Sequence, residues 1–382
     1  MKYKYIDSLR GLAILGVLLN HNLNMGTTSG KIPTILLVIF QIGSLGVQLF
    51  FVLSALTLFF SFNSRQHIEQ NPVKNFYLRR FFRIAPLFYL SIVYYLWQDG
   101  SGPRYWLGDA NHISIANILS NFTFTFGFNP YWLMSVVPNS WTIAVEFVFY
   151  LTMPLLFYKI RSINNALIFI MGSYLIWNIL NYFFSSHILI SDEKLWGAYL
   201  YFYFPTQLPI FGLGIFLFFI LRKKPVELKP FGLFILVSYI FIIYICNRSN
   251  IKLFLVNIEF ILSISFALLI YVLHNKPYKI IVNTFTSYVG KISFSIYLCH
   301  DAVMHFMRKF SLESFINSNG KYDAVLDYGI RFLIFLILVT AISSLTYYFI
   351  EIPGQKLGNW LINKTEGKQN QFSSSNLPPV QL

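Results

Sequence analysis

Arg10 and His21 stand eleven positions apart in an otherwise apolar stretch, Tyr5-Ile-Asp-Ser-Leu-Arg-Gly-Leu-Ala-Ile-Leu-Gly-Val-Leu-Leu-Asn-His21. In a helix that separation is about three turns, so both side chains share one face about 16 Å apart along the axis. An ionisable group inside a membrane span commonly costs about 2.5–3.5 kcal/mol on insertion scales, so it faces a cavity or a partner. Histidine changes charge near neutral pH, which suits it to take a proton from an alcohol or to carry an acyl group as nucleophile. Removal from water favours its neutral ring, the form that accepts a proton.

Three further clusters break the apolar pattern. Phe76-Tyr-Leu-Arg-Arg-Phe-Phe-Arg-Ile-Ala-Pro86 carries Arg79, Arg80 and Arg83, with Lys74 just upstream. Arg80 and Arg83 share a helix face. Arginines at the inner end of a span are ordinary topology anchors. Guanidinium forks also hold phosphates bidentately, so a coenzyme with several phosphates, arriving from the cytoplasm, suits this mouth. Glu146, in Pro138-Asn-Ser-Trp-Thr-Ile-Ala-Val-Glu146, lies about two turns inside an apolar span. A carboxylate there is paired with a cation, is protonated, or does acid/base work. Last, Ser293-Phe-Ser-Ile-Tyr-Leu-Cys-His300-Asp301 places a second histidine towards the outer end of a span. The simpler reading of His300 is a hydrogen-bonded packing histidine.

The elements that position these residues are membrane helices. The chain is 382 residues long, 56% hydrophobic and 12% charged. Several apolar runs reach the roughly 20 residues that a bilayer requires, so the expected class is all-α, a polytopic helical bundle. Expected spans fall near 9–27, 36–60, 81–98, 140–158, 164–185, 200–221, 231–246, 254–273, 289–307 and 329–350. The segment 112–130 is apolar but interrupted by Asn117, Asn121, Thr123 and Thr125. If it does not cross, alternate loops collect the positive charge, including Arg65, Lys159, Arg161, Arg222, Lys223, Lys224, Lys229, Lys276 and Lys356. The opposite loops hold fewer basic residues, and a crossing at 112–130 would cancel this bias. About ten spans are therefore expected, with both termini cytoplasmic and 112–130 re-entrant or interfacial on the outside.

The net charge of +14 is a topology signal, since no polar domain concentrates Lys and Arg as nucleic-acid binding requires. Cys246 and Cys299 both fall in expected spans, which supports neither a disulfide framework nor a cysteine metal site. HExxH, GxSxG and Walker-type glycine loops are absent, and no metal is expected. The first apolar run is too long, and too charged at Arg10, for a cleaved signal peptide. The chain is expected to comprise a membrane domain over 1–362 and a polar, cytoplasmic, unordered tail over 363–382, with no attached soluble domain. On these residues alone acyl transfer and proton-coupled transport both stand, the alternative being a polytopic transporter or flippase for a lipid-linked sugar. The lack of inverted-repeat halves disfavours transport.

Taken in order, the clusters resemble the membrane acyltransferase-3 family, which includes bacterial O-antigen, exopolysaccharide and Nod-factor O-acetyltransferases. The matching residues are Asp7-Ser-Leu-Arg-Gly-Leu-Ala with His21, Phe50-Phe-Val-Leu-Ser54, Arg80-Phe-Phe-Arg83 with Pro86, and Ser140-Trp141-Thr-Ile-Ala-Val-Glu146-Phe. Ser295-Ile-Tyr-Leu-Cys-His300 and Phe349-Ile-Glu-Ile-Pro353, followed by Gly358, complete the set. Ala55 stands where the family often has Gly, and Trp141-Thr-Ile where it often has Trp-Ser-Leu. The resemblance implies an integral protein of the bacterial inner membrane that takes an acyl group, usually acetyl, from cytoplasmic acetyl-CoA. The group would pass to a hydroxyl of a cell-surface glycan or lipid-linked oligosaccharide. Carried over by position, His21 is the catalytic residue, Arg10 supports it or the donor, and Glu146 assists the acceptor chemistry. Arg80 and Arg83, with Arg79 and Lys74 beside them, would hold the coenzyme; Asp7, Ser54, Trp141 and His300 would support the site. Many members also carry a periplasmic esterase-like domain; without one, the membrane domain is expected to present the acceptor itself.

Overall fold

A computed structural model describes residues 4–26, 29–223, 257–316 and 320–375, with side chains of the last helix described to Glu366. Every regular element among the described residues is helical. The principal helices are α1 (Lys4–Asn22), α2 (Thr34–Ile42), α3 (Gly46–Arg65), α4 (Pro72–Asp99), α5 (Ile115–Phe122), α6 (Trp141–Lys159) and α7 (Ile163–Ser186). They continue with α8 (Glu193–Phe202), α9 (Phe204–Ile220), α10 (Ile258–Asn275), α11 (Thr284–Lys291), α12 (Ser293–Lys309), α13 (Lys321–Thr346) and α14 (Ile352–Ser375). A wide π-turn, Tyr347–Glu351, joins α13 to α14.

Five helical stretches among the described residues are long and apolar enough to cross a membrane: Thr34–Arg65, Trp141–Lys159, Ile163–Ser186, Glu193–Ile220 and Lys321–Glu366. Neither α1 nor α4 is among them, because their polar side chains lower their hydropathy. The expected spans 140–158 and 164–185 coincide closely with α6 and α7. The span 36–60 is interrupted by a 3-10 turn at Gly43–Leu45, and 200–221 is broken at Tyr203, where Pro205 opens α9. The span 289–307 is divided at Ile292. The segment 112–130 contains only the eight-residue α5 and a 3-10 turn. Eight helical residues rise about 12 Å, well short of a hydrocarbon core about 30 Å thick. The expected span 231–246, Cys246, and Lys224 and Lys229 lie outside the described residues. The backbone stays helical to Ser375, so 363–375 continues α14 rather than being unordered as expected.

The first helix carries both Arg10 and His21 and is gripped chiefly by α11 and α3. Its crossing with α11 is backbone on backbone. A Cβ at Gly290 would fall on the Asp7 carbonyl, and one at Gly11 on the Thr286 carbonyl. Small residues at such crossings let membrane helices approach closely and gain dispersion contact. On the other side, a buried aromatic seam packs α3 against α6 and α9: Phe149 stacks on Phe211 at 4.1 Å, and Phe51 meets Phe211 at 4.8 Å. We expect Gly290→Val to force α11 off α1 at an overpacking cost of at least about 1–3 kcal/mol. A thermal melt of the detergent-solubilised protein reads this as a lowered Tm, whereas an unchanged Tm would mean that the crossing is looser than described.

Candidate active site

Helices α1, α3, α4, α6 and α12 line a partly open cavity. Arg10, Arg80, Arg83, Ser54, Glu146 and Tyr150 bring its polar lining, and Phe50, Phe51 and Ile84 its apolar walls. Four segments far apart in the chain thus meet at one place. Arg10 donates to Thr57 Oγ1 at 3.2 Å and lies 3.6 Å from Asp7. Glu146 Oε1 accepts from Ser54 Oγ and from Tyr150 Oη, each at 2.6 Å. Its carboxylate is therefore held by two hydroxyls, rather than by the arginine that buried charge alone would suggest.

Arg80 and Arg83 follow different rules from the two basic residues named beside them. No carboxylate lies within 4.0 Å of either among the described residues. Arg80 Nε is buried with no hydrogen-bond partner, while its guanidinium packs near the Phe76 and Tyr150 rings at 5.8 and 5.9 Å. Donors are thus left unspent around the cavity. Arg79 instead turns to Glu69, to which it donates twice at 2.7 and 2.9 Å. Lys74 is exposed and lines a separate surface cleft with Tyr77 and Tyr158. Neither lines the cavity. Adjacent helical residues point about 100° apart, so Arg79 and Arg80 cannot share a face. Trp141 is buried among rings, 4.6 Å from Phe202 and 5.9 Å from Phe51, and packs the wall without a polar role.

A second cluster forms at the other end of α1. The His21 ring meets the His300 ring edge-on at 4.8 Å. His300 is fully buried, and its Nε2 lies 3.3 Å from Asp301 Oδ2. One donor atom from each of His21, His300 and Asp301 falls within 4.8 Å of the other two, a two-histidine, one-carboxylate set of a kind that zinc accepts. Two residues that sequence reasoning passed over connect this cluster to the cavity. Tyr297 lines the cavity and donates from its hydroxyl to the Asn139 carbonyl at 2.8 Å. Asn139 in turn donates its side-chain amide to Asp301 Oδ2 at 2.7 Å. Asn139 has a left-handed backbone, φ 55°, which non-glycine residues adopt rarely and asparagine most readily. The Pro138-Asn139 pair was the available signal, as a turn rather than as a site.

Another missed carboxylate is Glu351, on the π-turn. It is buried, accepts from Ser295 and Gln355 at 3.1 Å each, and lies within electrostatic reach of Arg83. Behind His21, the end of α1 is locked. Asn22 donates to the Tyr328 carbonyl at 3.2 Å and accepts from Arg331 Nε at 3.3 Å, while Arg331 donates to Asp327 at 2.7 Å with both side chains buried.

Residues 3–348 match the family model described as an acyltransferase domain, Acyl_transf_3. The chain belongs to the acyltransferase-3 family. Its relatives carry O-acetyltransferase names. It is 25% identical over 394 residues to a putative O-acetyltransferase of Staphylococcus aureus strain COL, covering 94% of this chain and 59% of the relative. A counterpart in strain MSSA476 is 25% identical over 387 residues, covering 93% of this chain and 58% of the relative. The peptidoglycan O-acetyltransferase OatA of Listeria monocytogenes is 32% identical over 158 residues, covering 39% of this chain and 23% of the relative. The chain thus spans little more than half the length of the staphylococcal relatives and matches a smaller part of OatA. No solved structure matches it.

Removing the Glu146 carboxylate strands the half-buried Ser54 hydroxyl and the buried Tyr150 hydroxyl, and a buried polar group left without its partner costs about 1–3 kcal/mol. Glu146→Ala should therefore lower the Tm well below that of Glu146→Gln, which keeps an acceptor oxygen for Ser54 and Tyr150. Equal melts for the two variants would show that the hydroxyl pair does not depend on the carboxyl oxygen.

Proposed function

We propose that this chain is a membrane O-acyltransferase that moves an acyl group, most simply acetyl, from cytoplasmic acyl-CoA to a hydroxyl of a cell-surface or lipid-linked glycan. The observation that carries this reading is the convergence of Arg10, Arg80 and Arg83 on one cavity with guanidinium donors left unspent, in a chain of the acyltransferase-3 family. Planar forks with free N–H groups suit the phosphates and adenylate ribose-phosphate of a coenzyme better than they suit a neutral substrate. The names of the relatives support an acetyl group and an oxygen acceptor, and the peptidoglycan in OatA's name favours an acceptor among envelope glycans.

In this reading the chain lies in the bacterial plasma membrane, with about ten spans and both termini in the cytoplasm. The coenzyme's charged end occupies the arginine-lined cavity, and its long, thin pantetheine arm extends past Tyr297 towards His21. His21 acts as general base on the acceptor hydroxyl, or first takes the acyl group itself. Glu146 and Ser54 hold the wall of the donor cavity, and Asp7 balances Arg10.

His21→Ala should abolish transfer of label from acetyl-CoA to envelope glycan at normal protein levels; retained transfer would remove His21 from the chemistry. Arg80→Ala and Arg83→Ala should each weaken acetyl-CoA binding by roughly 10- to 100-fold, as expected for losing a charge-assisted hydrogen bond of about 1.5–3 kcal/mol. Their Lys variants should also bind more weakly, because an ammonium lacks the fork. Arg79→Ala and Lys74→Ala should leave binding close to wild type. Calorimetry in detergent separates these outcomes, and uniform binding across all six proteins would reduce the arginines to topology anchors.

A further inference from the structure

His300 Nδ1 lies 2.7 Å from the backbone carbonyl of Tyr297. A carbonyl oxygen only accepts, so Nδ1 carries the proton and the neutral ring presents a lone pair at Nε2. That Nε2 is buried with no hydrogen-bond partner. It sits 3.3 Å from Asp301 Oδ2, itself an acceptor, already engaged by the Asn139 amide at 2.7 Å. With the ring neutral, two acceptors therefore face each other beside the edge of the His21 ring. A buried acceptor left unmade costs about 1–3 kcal/mol. Packing does not require this arrangement, since a proton placed among the three groups would relieve it.

Resting on the acyl-transfer reading above, we propose that Asp301 and His300, with Asn139 behind them, are positioning residues that receive the positive charge His21 acquires when it deprotonates the acceptor. The acceptor O–H bond breaks and its proton passes to one ring nitrogen of His21. The other ring nitrogen, now an N–H of an imidazolium, donates to His300 Nε2, and the Asp301 carboxylate stabilises the cation. The acceptor oxygen attacks the thioester carbonyl, the C–O bond forms and the C–S bond breaks. The proton on His21 then goes to the departing CoA sulfur, and the ring returns to neutral. Nothing is oxidised or reduced. The separation within the trio, up to 4.8 Å, is one that a single water or a turn of the His21 ring closes. The His21 N–H belongs to the neutral ring as well, but the bond becomes charge-assisted only once proton transfer has begun, so the interaction favours the transition state over the resting enzyme.

Asn139 gives the arrangement its rigidity. Its left-handed backbone fixes where the amide points, and the same residue offers its carbonyl to Tyr297 at the cavity. The donor cavity and the proton-handling cluster thus share one hinge point, through Tyr297, Asn139 and Asp301.

The test uses the full chain in envelope membranes of its own host, with the chromosomal copy deleted, and radiolabelled acetyl-CoA as donor to the endogenous glycan. Asp301→Asn keeps the shape but removes the charge, His300→Gln removes the proton acceptor, and Asn139→Gly keeps the left-handed backbone but removes the amide. Each should lower kcat by about 10- to 100-fold, the range seen when residues that orient a working histidine are removed. KM for acetyl-CoA and the Tm in detergent should stay near wild type, and Asp301→Glu should recover part of kcat. The proposal is overturned if kcat stays within about twofold of wild type while His21→Ala is inactive, since that leaves the acyl-transfer reading standing and removes only the relay. It is equally overturned if kcat falls only in step with the Tm, or if a chelator abolishes wild-type activity and zinc restores it, which would make the trio a metal site. An active His21→Ala would instead sink the acyl-transfer reading itself.

Discussion

Positive charge inside an apolar bundle is tolerated only where it finds counter-charge or a polar space, and the architecture follows from that requirement. Arg10 comes from α1, Arg80 and Arg83 from α4, Glu146 from α6, and Glu351 from the π-turn before α14. No two of these helices are neighbours in sequence, yet all deliver their ionic groups to one region. Hydroxyls complete the arrangement: Ser54 and Tyr150 on Glu146, Thr57 on Arg10, Ser295 on Glu351. Such a network is worth more for the single arrangement it imposes than for the stability of any one pair, since desolvation consumes most of what a buried ion pair gains.

One helix joins two kinds of chemistry. At Arg10, α1 contributes to a cavity rich in cations; at His21 it meets a second histidine and a carboxylate. His21 does not line the arginine-lined cavity, and the connection between the two ends runs through α12 and the Pro138–Ser140 turn. The close crossing of α1 with α11 and the lock formed by Asn22, Tyr328 and Arg331 hold both ends of that helix against rigid neighbours. A site on a fixed helix keeps its geometry better than one on a loop.

Much of this was legible in the residues. The spacing of Arg10 and His21 gave a shared face, and the three-residue step from Arg80 to Arg83 gave another; the structure keeps both steps on the expected helices. The long apolar runs at α6 and α7 were found to within a residue or two, because period and length alone decide them. What failed to show was tertiary. Arg79 and Lys74 sit in the same basic run as Arg80, and only the rotation of the helix and the presence of Glu69 separate them. Ser54 reaches Glu146 across 92 positions, a pairing that no local pattern encodes. His300 read most simply as a packing histidine, since its contact with His21 depends on how α12 lies against α1. Asn139 looked like turn punctuation, and its second role appears only when Asp301 is beside it.

The π-turn at Tyr347–Glu351 has a consequence for how the chain can change. A π-turn holds one more residue than an α-turn, and each helical residue advances the next by about 100°. That extra residue is taken up within one full rotation, so loss of a single residue there would restore regular winding without turning the face that α14 lays against α4. What would change is the bulge itself, which holds Glu351 against Ser295. In this segment a one-residue deletion should therefore disturb the far end of the chain less than an insertion or a deletion elsewhere along the helix.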